Sequence, residues 1–290
     1  MILHHVEFGA EHGGDPVVFL GSIASTTDMW LPQLDALSVT RRVIALDHRG
    51  HGLSPDPDVA PGETTFDSLA DDVLGTLDSL GVRSFEVVGL SLGGALAQYL
   101  AATSDRVTKA AFLCTAAYFG GPDKWAPRSE LTRAEGMAPM VDGVVGLWFT
   151  ESFRDANPAT TDFHRRMILS TRGVGYASCA DALAGWDFRD RLSEITVPTL
   201  VLAGTEDGST PPAALKAIAD GIAGGRSDAG AGRSDGNGGG AGNGGNGGNG
   251  GNGGNGGNGS VTYVEVSPGA HVPTIEAPEQ VNKALVDFFG

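Results

Sequence analysis

Short unbroken apolar runs alternate along this chain with longer stretches in which apolar positions recur every three or four residues. Pro16-Val17-Val18-Phe19-Leu20, Arg42-Val43-Ile44-Ala45-Leu46-Asp47, Phe85 to Leu90, Lys109 to Ala117 and Val197 to Ala203 are rich in β-branched residues and poor in polar ones. That is the pattern of strands buried on both faces. Ile2 to Phe8 and Val261 to Val266 read as a first and a last strand. Between the strands the spacing predicts helices. One runs from Trp30 to Leu37 with Pro32 near its start. A second carries Phe66, Leu69, Val73, Leu77 and Leu80 on one stripe, is capped by Thr64 or Thr65 and ends at Gly81. Others span Ala95 to Thr103, Pro211 to about Ile222, and Pro278 to Phe289. Strands alternating with helices predict an α/β fold, a mostly parallel sheet with helices on both faces.

The rhythm breaks between Tyr118 and about Ile195, where the pattern is helical throughout and holds Trp125, Trp148, Phe149, Phe153, Met167 and Trp186. This predicts a helical cap, residues 118–195, inserted into a core made of 1–117 and 196–290. Within the second part of the core, 224–259 is of low complexity, with 20 Gly in 36 residues and no apolar side chain larger than Ala. Such a segment cannot offset its own ordering entropy and is expected to be a disordered insertion.

Composition narrows the function. The net charge of −16 argues against nucleic acid or an anionic membrane as partner, and any anionic ligand then needs a local cationic site. No apolar run is long enough to cross a membrane. The residues after Met1 carry no signal-peptide pattern, so a cytoplasmic location is expected. Cys114 and Cys179 are too few for a disulfide scaffold and read as buried free thiols, Cys114 within a strand. No His, Cys or Asp group has metal-ligand spacing and no phosphate-cradling glycine motif occurs, so neither a metal nor dinucleotide or phosphate cradling is indicated.

The chemistry gathers around Gly89-Leu90-Ser91-Leu92-Gly93, which fits G-x-S-x-G between a strand and a helix. This is the nucleophile elbow of α/β-hydrolases, a turn so sharp that residues two before and two after the serine must lack a Cβ. A serine hydroxyl needs a base, and the base an orienting acid. In this fold they follow in the order Ser, acid, His. Asp207 stands just after the strand ending at Ala203, with Glu206 as the neighbour that could substitute, and His271 stands after the last strand. Backbone N–H groups of Leu92 and, from the loop after Leu20, Ile23 are the expected oxyanion donors. His4, His5 and His12 lie in or beside the first strand, away from the expected catalytic edge. His48 and His51 flank Arg49-Gly50 and are expected to brace a loop.

Leu46-Asp47-His48-Arg49-Gly50-His51-Gly52-Leu53-Ser54 and Val88 to Gly94 are typical of α/β-hydrolases at large. Gly121-Pro122-Asp123-Lys124-Trp125-Ala126-Pro127-Arg128, Arg133-Ala134-Glu135-Gly136-Met137, Trp148-Phe149-Thr150, Gly175-Tyr176-Ala177, Ile195 to Asp207 and Thr210-Pro211-Pro212 together resemble the 3-oxoadipate enol-lactone hydrolases of the β-ketoadipate pathway of aromatic catabolism. The likeness spans nearly all of the chain outside 224–259; that insertion and Val272-Pro273-Thr274 depart from the family pattern. The resemblance implies a serine hydrolase without cofactor, acting on a small anionic lactone. The substrate carboxylate would then need a cap cation. Arg128, three residues after Trp125 and able to share a helix face with it, is the first candidate, and Arg133 the alternative. Two other readings compete: a broad carboxylesterase or cofactor-free haloperoxidase or perhydrolase with the same triad, and a non-catalytic ligand receptor on the same fold. The sequence does not speak to oligomeric state.

Overall fold

The apolar runs become the strands of one twisted layer. The structure, a computed structural model, describes residues 1–231 and 259–290. Among them seven strands form a single sheet: β1 His5–Phe8, β2 Val17–Leu20, β3 Val43–Leu46, β4 Phe85–Leu90, β5 Val107–Leu113, β6 Thr199–Gly204 and β7 Val261–Val266. Their order is β1-β3-β2-β4-β5-β6-β7. Strand β1 is antiparallel to β3, and every other neighbouring pair is parallel. All residues of β2, β3, β4 and β6 are buried, so these segments show no polar alternation. The charged exception is Glu86 in β4, met by Arg41 at 2.6 Å and Lys109 at 3.5 Å.

Helices α1 Leu31–Leu37, α2 Phe66–Ser79 and α3 Leu92–Thr103 connect the first strands. Thr65 caps α2, its hydroxyl taking the Ser68 N–H while Ser68 returns the bond to the Thr65 N–H. Between β5 and β6 come α4 Pro122–Glu135, α5 Val141–Trp148, α6 Glu151–Ala156, α7 Pro158–Ser170 and α8 Gly173–Ala184; α9 Pro212–Ala231, α10 Pro273–Glu276 and α11 Pro278–Phe289 complete the described helices. Right-handed crossovers put α1 on one face of the sheet and α2, α3 and α9 on the other. Helix α11 joins α1, and α2 packs on α3.

Several expectations need correcting. The fifth strand begins earlier and stops at Leu113, because Cys114 takes a left-handed φ of 42°. Cys114 is therefore the first residue of the turn beyond the strand, not part of it. Helix α3 begins at Leu92 rather than Ala95, directly off the serine. Because β1 is antiparallel, its first residues lie at the edge where the parallel strands end: His5 pairs with Leu46, and His4 Nδ1 meets Asp47 at 2.7 Å. His4 and His5 are thus at the expected edge but on the sheet's flank. Helix α9 continues past Ile222 to Ala231; propagation costs little once a helix is nucleated. Residues 232–258, most of the stretch read as disordered, lie outside the described residues.

Helices α4 to α8 are locked to the core by a backbone contact. A Cβ on Gly175 in α8 would stand 2.5 Å from the Cα and O of Gly50, which itself has a φ of 67°. Arg172 reinforces the contact, its guanidinium donating to Gly52 O, Ser54 O and Asp56. Gly175→Ala should therefore push the insert off the loop after β3. The expected loss is about 1–3 kcal/mol, as for overpacking elsewhere, read as a lower urea midpoint at unchanged slope. An unchanged midpoint would show that the contact relaxes freely.

Candidate active site

Strand β4 delivers Ser91 through a turn that only its flanking glycines permit. Ser91 has φ 58° and ψ −114°. A Cβ on Gly89 would lie 2.0 Å from Gly93 O, and one on Gly93 2.0 Å from Leu20 O. The strained serine is held by its own backbone: its N–H donates to Leu113 O at 3.0 Å, and its carbonyl accepts from Thr115 Oγ1 at 2.7 Å and Ala95 N at 3.0 Å.

Asp207 and His271 meet behind it. Asp207 Oδ2 accepts from His271 Nδ1 at 2.8 Å and from Thr210 Oγ1 at 2.6 Å, while Oδ1 accepts from the N–H groups of Ser209 and Thr210 at 2.8 and 3.0 Å. Burial alone would raise the Asp207 pKa. The hydrogen bonds from His271 and Thr210, with the charge of His271 when it is protonated, outweigh burial and hold the carboxyl below its usual range. Donation from Nδ1 leaves His271 Nε2 as the ring's acceptor. Glu206 is exposed and borders a separate hollow with Arg154 and Gly208, so the carboxylate on His271 is that of Asp207. The Cys114 thiol sits close by, its pKa raised by burial and by the Asp207 charge.

The loop after β2 closes the other side. Gly21 O accepts from Gly93 N at 3.0 Å and from His48 Nε2 at 2.8 Å, and Ala24 N donates to His51 Nε2 at 3.0 Å. Ser22 N is directed to Met29 Sδ. Between these anchored neighbours the Ile23 N–H has no protein partner among the described residues. Leu92 is the first residue of α3, so its N–H has no carbonyl one turn back. Both expected donors are thus placed without competing bonds.

Ser91, His271 and Ile23 border one pocket with Trp125, Arg128, Trp148 and Tyr176 from the insert. Pro127 does not interrupt α4, so Trp125 and Arg128 share a helical face, with the guanidinium 5.0 Å above the indole. The indole is fixed by Nε1 donating to Phe119 O at 3.0 Å. Arg133 does not join them. Its guanidinium is taken by Asp181 and by Ser129 Oγ, and it does not border the pocket. Six of the insert's cations have a carboxylate within 4.0 Å; Arg128 has none among the described residues. Larger hollows exist elsewhere, such as one between Leu31 and Phe163, but Ser91 does not border it. No group of three or more His, Cys, Asp or Glu among the described residues could hold a metal ion.

Residues 15–141 match the alpha/beta hydrolase fold family. The chain is 32% identical over 209 residues to 3-oxoadipate enol-lactonase 2 of Acinetobacter baylyi, covering 72% of this chain and 77% of that one. The structure superposes on the enol-lactonase from Burkholderia xenovorans LB400 with a TM-score of 0.82 at 31% identity, over 99% of this chain and 96% of that one. A thermophilic esterase from Thermogutta terrifontis follows at 0.80 and 27%, over 99% and 92%. The chain belongs to the 3-oxoadipate enol-lactonase family of α/β-hydrolases. It is an enzyme, a hydrolase of ester bonds.

Some residues of this family member's site have no role in the sequence reading. Thr210 enters it only as part of a likeness. Its signal is the Asp-x-x-Thr spacing after β6, which lets one hydroxyl and one N–H converge on the carboxylate. Tyr176 enters in the same way, and burial raises its hydroxyl pKa although Arg128 beside it opposes the shift. Glu276 gives no signal. It accepts from Ala270 N at 2.8 Å and from Thr150, tying the loop of His271 to the insert.

The buried histidines make stability depend on pH. Burial and the neighbouring His48 push His51 down to about 3, and burial also lowers His48. The unfolded chain takes up these protons near the ordinary pKa of about 6.5. Folded-state stability contributed by the neutral rings is therefore complete above about pH 6.5 and is lost as pH falls towards 3. Melting temperatures between pH 7 and 4 should fall for the wild type and fall less for His51→Gln. Parallel curves would contradict this assignment.

Proposed function

We propose that this enzyme opens a small anionic lactone, 3-oxoadipate enol-lactone being the favoured substrate, with Ser91 as nucleophile, His271 as base and Asp207 as the orienting acid. Residues 118–195 serve as the cap over a core of 1–117 and 196–290. The observation that carries the reading is Arg128, a guanidinium without a carboxylate partner among the described residues, in the same pocket as Ser91 and His271. In a chain of net charge −16, long-range fields repel an anion, although salt screens them beyond about 8 Å. Recognition is therefore local, a planar fork matched to a carboxylate beside the apolar wall of Trp125.

In the reaction Ser91 Oγ attacks the lactone carbonyl as His271 Nε2 takes its proton. The N–H groups of Ile23 and Leu92 receive the developing oxyanion. Collapse breaks the bond from the acyl carbon to the ring oxygen. That oxygen leaves as an enol, protonated by His271, and tautomerises to the ketone while still tethered through the acyl chain. Water, deprotonated by His271, then attacks the acyl-enzyme and regenerates Ser91. Asp207 keeps the proton on Nδ1 throughout and stabilises the imidazolium. The esterase among the structural relatives favours a second reading, a broader carboxylesterase with the same triad.

Ser91→Ala should abolish turnover with the fold intact, a loss on the order of 10⁶ in kcat for a triad nucleophile, read by the ultraviolet loss of enol-lactone. Activity within about tenfold of wild type would eliminate Ser91 as nucleophile. Arg128→Ala separates the two substrate readings. For the lactone, kcat/KM should drop by about 2–4 kcal/mol, the size of a partly desolvated charge contact, while p-nitrophenyl acetate hydrolysis changes little. Equal losses on both substrates, or none on either, would take Arg128 out of carboxylate recognition.

A further inference from the structure

The loop that carries the Ile23 N–H contains a second strained residue. Ala24 has a φ of 68°, a left-handed conformation that residues with a Cβ seldom adopt outside turns built to hold it. The turn Ser22 to Ser25 is closed on Ser22 O by Ser25 N at 3.2 Å and Ser25 Oγ at 2.7 Å, and from outside the turn Ala24 N is held by His51 Nε2 at 3.0 Å. The partners on either side of this imidazole leave no choice of tautomer. His51 Nδ1 lies 2.9 Å from Arg49 O, which can only accept; Nε2 faces an amide N–H, which can only donate. The ring is therefore neutral with its proton on Nδ1, and it is completely buried. The other end of the loop is pinned independently, at Gly21 O, by His48 Nε2 and by the N-terminus of α3. Ile23 lies between the two anchors.

We propose that His51 is a positioning residue of the oxyanion hole: its neutral Nε2 holds the Ala24 N–H, and so keeps the loop in the left-handed turn that presents the Ile23 N–H to the pocket. This rests on the reading of Ile23 as an oxyanion donor and extends it to the group that sets the donor's direction. His51 touches neither substrate nor Ser91. Its contribution is to the tetrahedral intermediate alone, because only that species needs the donor in place. Burial keeps the ring uncharged at neutral pH, so the acceptor is present throughout the working range.

Two substitutions divide the two bonds of the ring. His51→Asn can still donate to Arg49 O in place of Nδ1 but offers no acceptor to Ala24. His51→Gln places an acceptor where Nε2 stands. On both enol-lactone and p-nitrophenyl acetate, His51→Asn should lose about 10–100-fold in kcat with KM changed by less than about twofold, up to the cost of an oxyanion donor. His51→Gln should stay within about threefold of wild type. Adding Ala24→Gly to His51→Asn should recover part of the loss, because Gly takes the left-handed conformation without a Cβ penalty. Equal activity of the Asn and Gln variants, a change confined to KM, or no recovery on adding Ala24→Gly would overturn the proposal. Should His51→Asn not fold, the ¹⁵N spectrum of the wild-type ring decides: a protonated Nδ1 and an unprotonated Nε2 are required, and any other state overturns it. Turnover that survives Ser91→Ala would remove the whole site, and this proposal with it. Turnover that requires Ser91 but ignores the Asn/Gln distinction would remove the His51 role alone.

Discussion

Gly93 lies against the carbonyl of Leu20, too close for any side chain, and its N–H reaches Gly21 O. This contact joins the start of α3 to the end of β2, and the site depends on it. It sets the distance between the N–H after Ser91 and the loop holding Ile23. The two N–H groups belong to different elements, one to a helix terminus and the other to a neighbouring strand's exit. A methyl group at position 93 would separate them at once.

Much of the remaining order comes from the segment after β3. Asp47 accepts from Thr27 N at 2.8 Å, Leu53 N at 3.0 Å and His4 Nδ1, and Gly52 leaves the space its carboxylate fills. Arg49 is buried against Asp72 of α2 at 2.6 Å, His48 and His51 hold the loop after β2, and Gly50 receives α8. One segment thus binds the sheet's flank, a face helix, the loop after β2 and the insert. A family motif of this kind is kept by its many simultaneous contacts. Removing one partner of the Arg49–Asp72 pair would leave a buried charge uncompensated.

The sheet, the elbow and the order of Ser91, Asp207 and His271 are legible in the sequence because each has a local signature. Buried parallel strands are continuous apolar runs, and the elbow needs glycines at fixed offsets. The strand boundary at Cys114 is not legible, since a positive φ at a non-glycine residue follows from the tertiary turn over Ser91 and leaves no mark in composition. The place of His4 is hidden because an apolar run does not disclose strand direction. The choice between Arg128 and Arg133 lies beyond the sequence for a similar reason. Both are arginines of α4, and only the carboxylate of Asp181, 48 residues after Arg133, distinguishes the occupied cation from the available one. His48 and His51 do act as loop braces, but which loop they brace is a fact of three dimensions.

The direction of the strands has a consequence for how this protein can change. Val261 pairs with Thr199 and Val266 with Gly204, so the connection from α9 into β7 arrives at the edge of the sheet opposite Ser91. Ser91 stands at one pole and this junction at the other, with the buried sheet between them. Chain added at that junction enters the fold at the pole away from Ser91. The fold thus offers a port where sequence can be grafted by design without touching the turn that carries the serine.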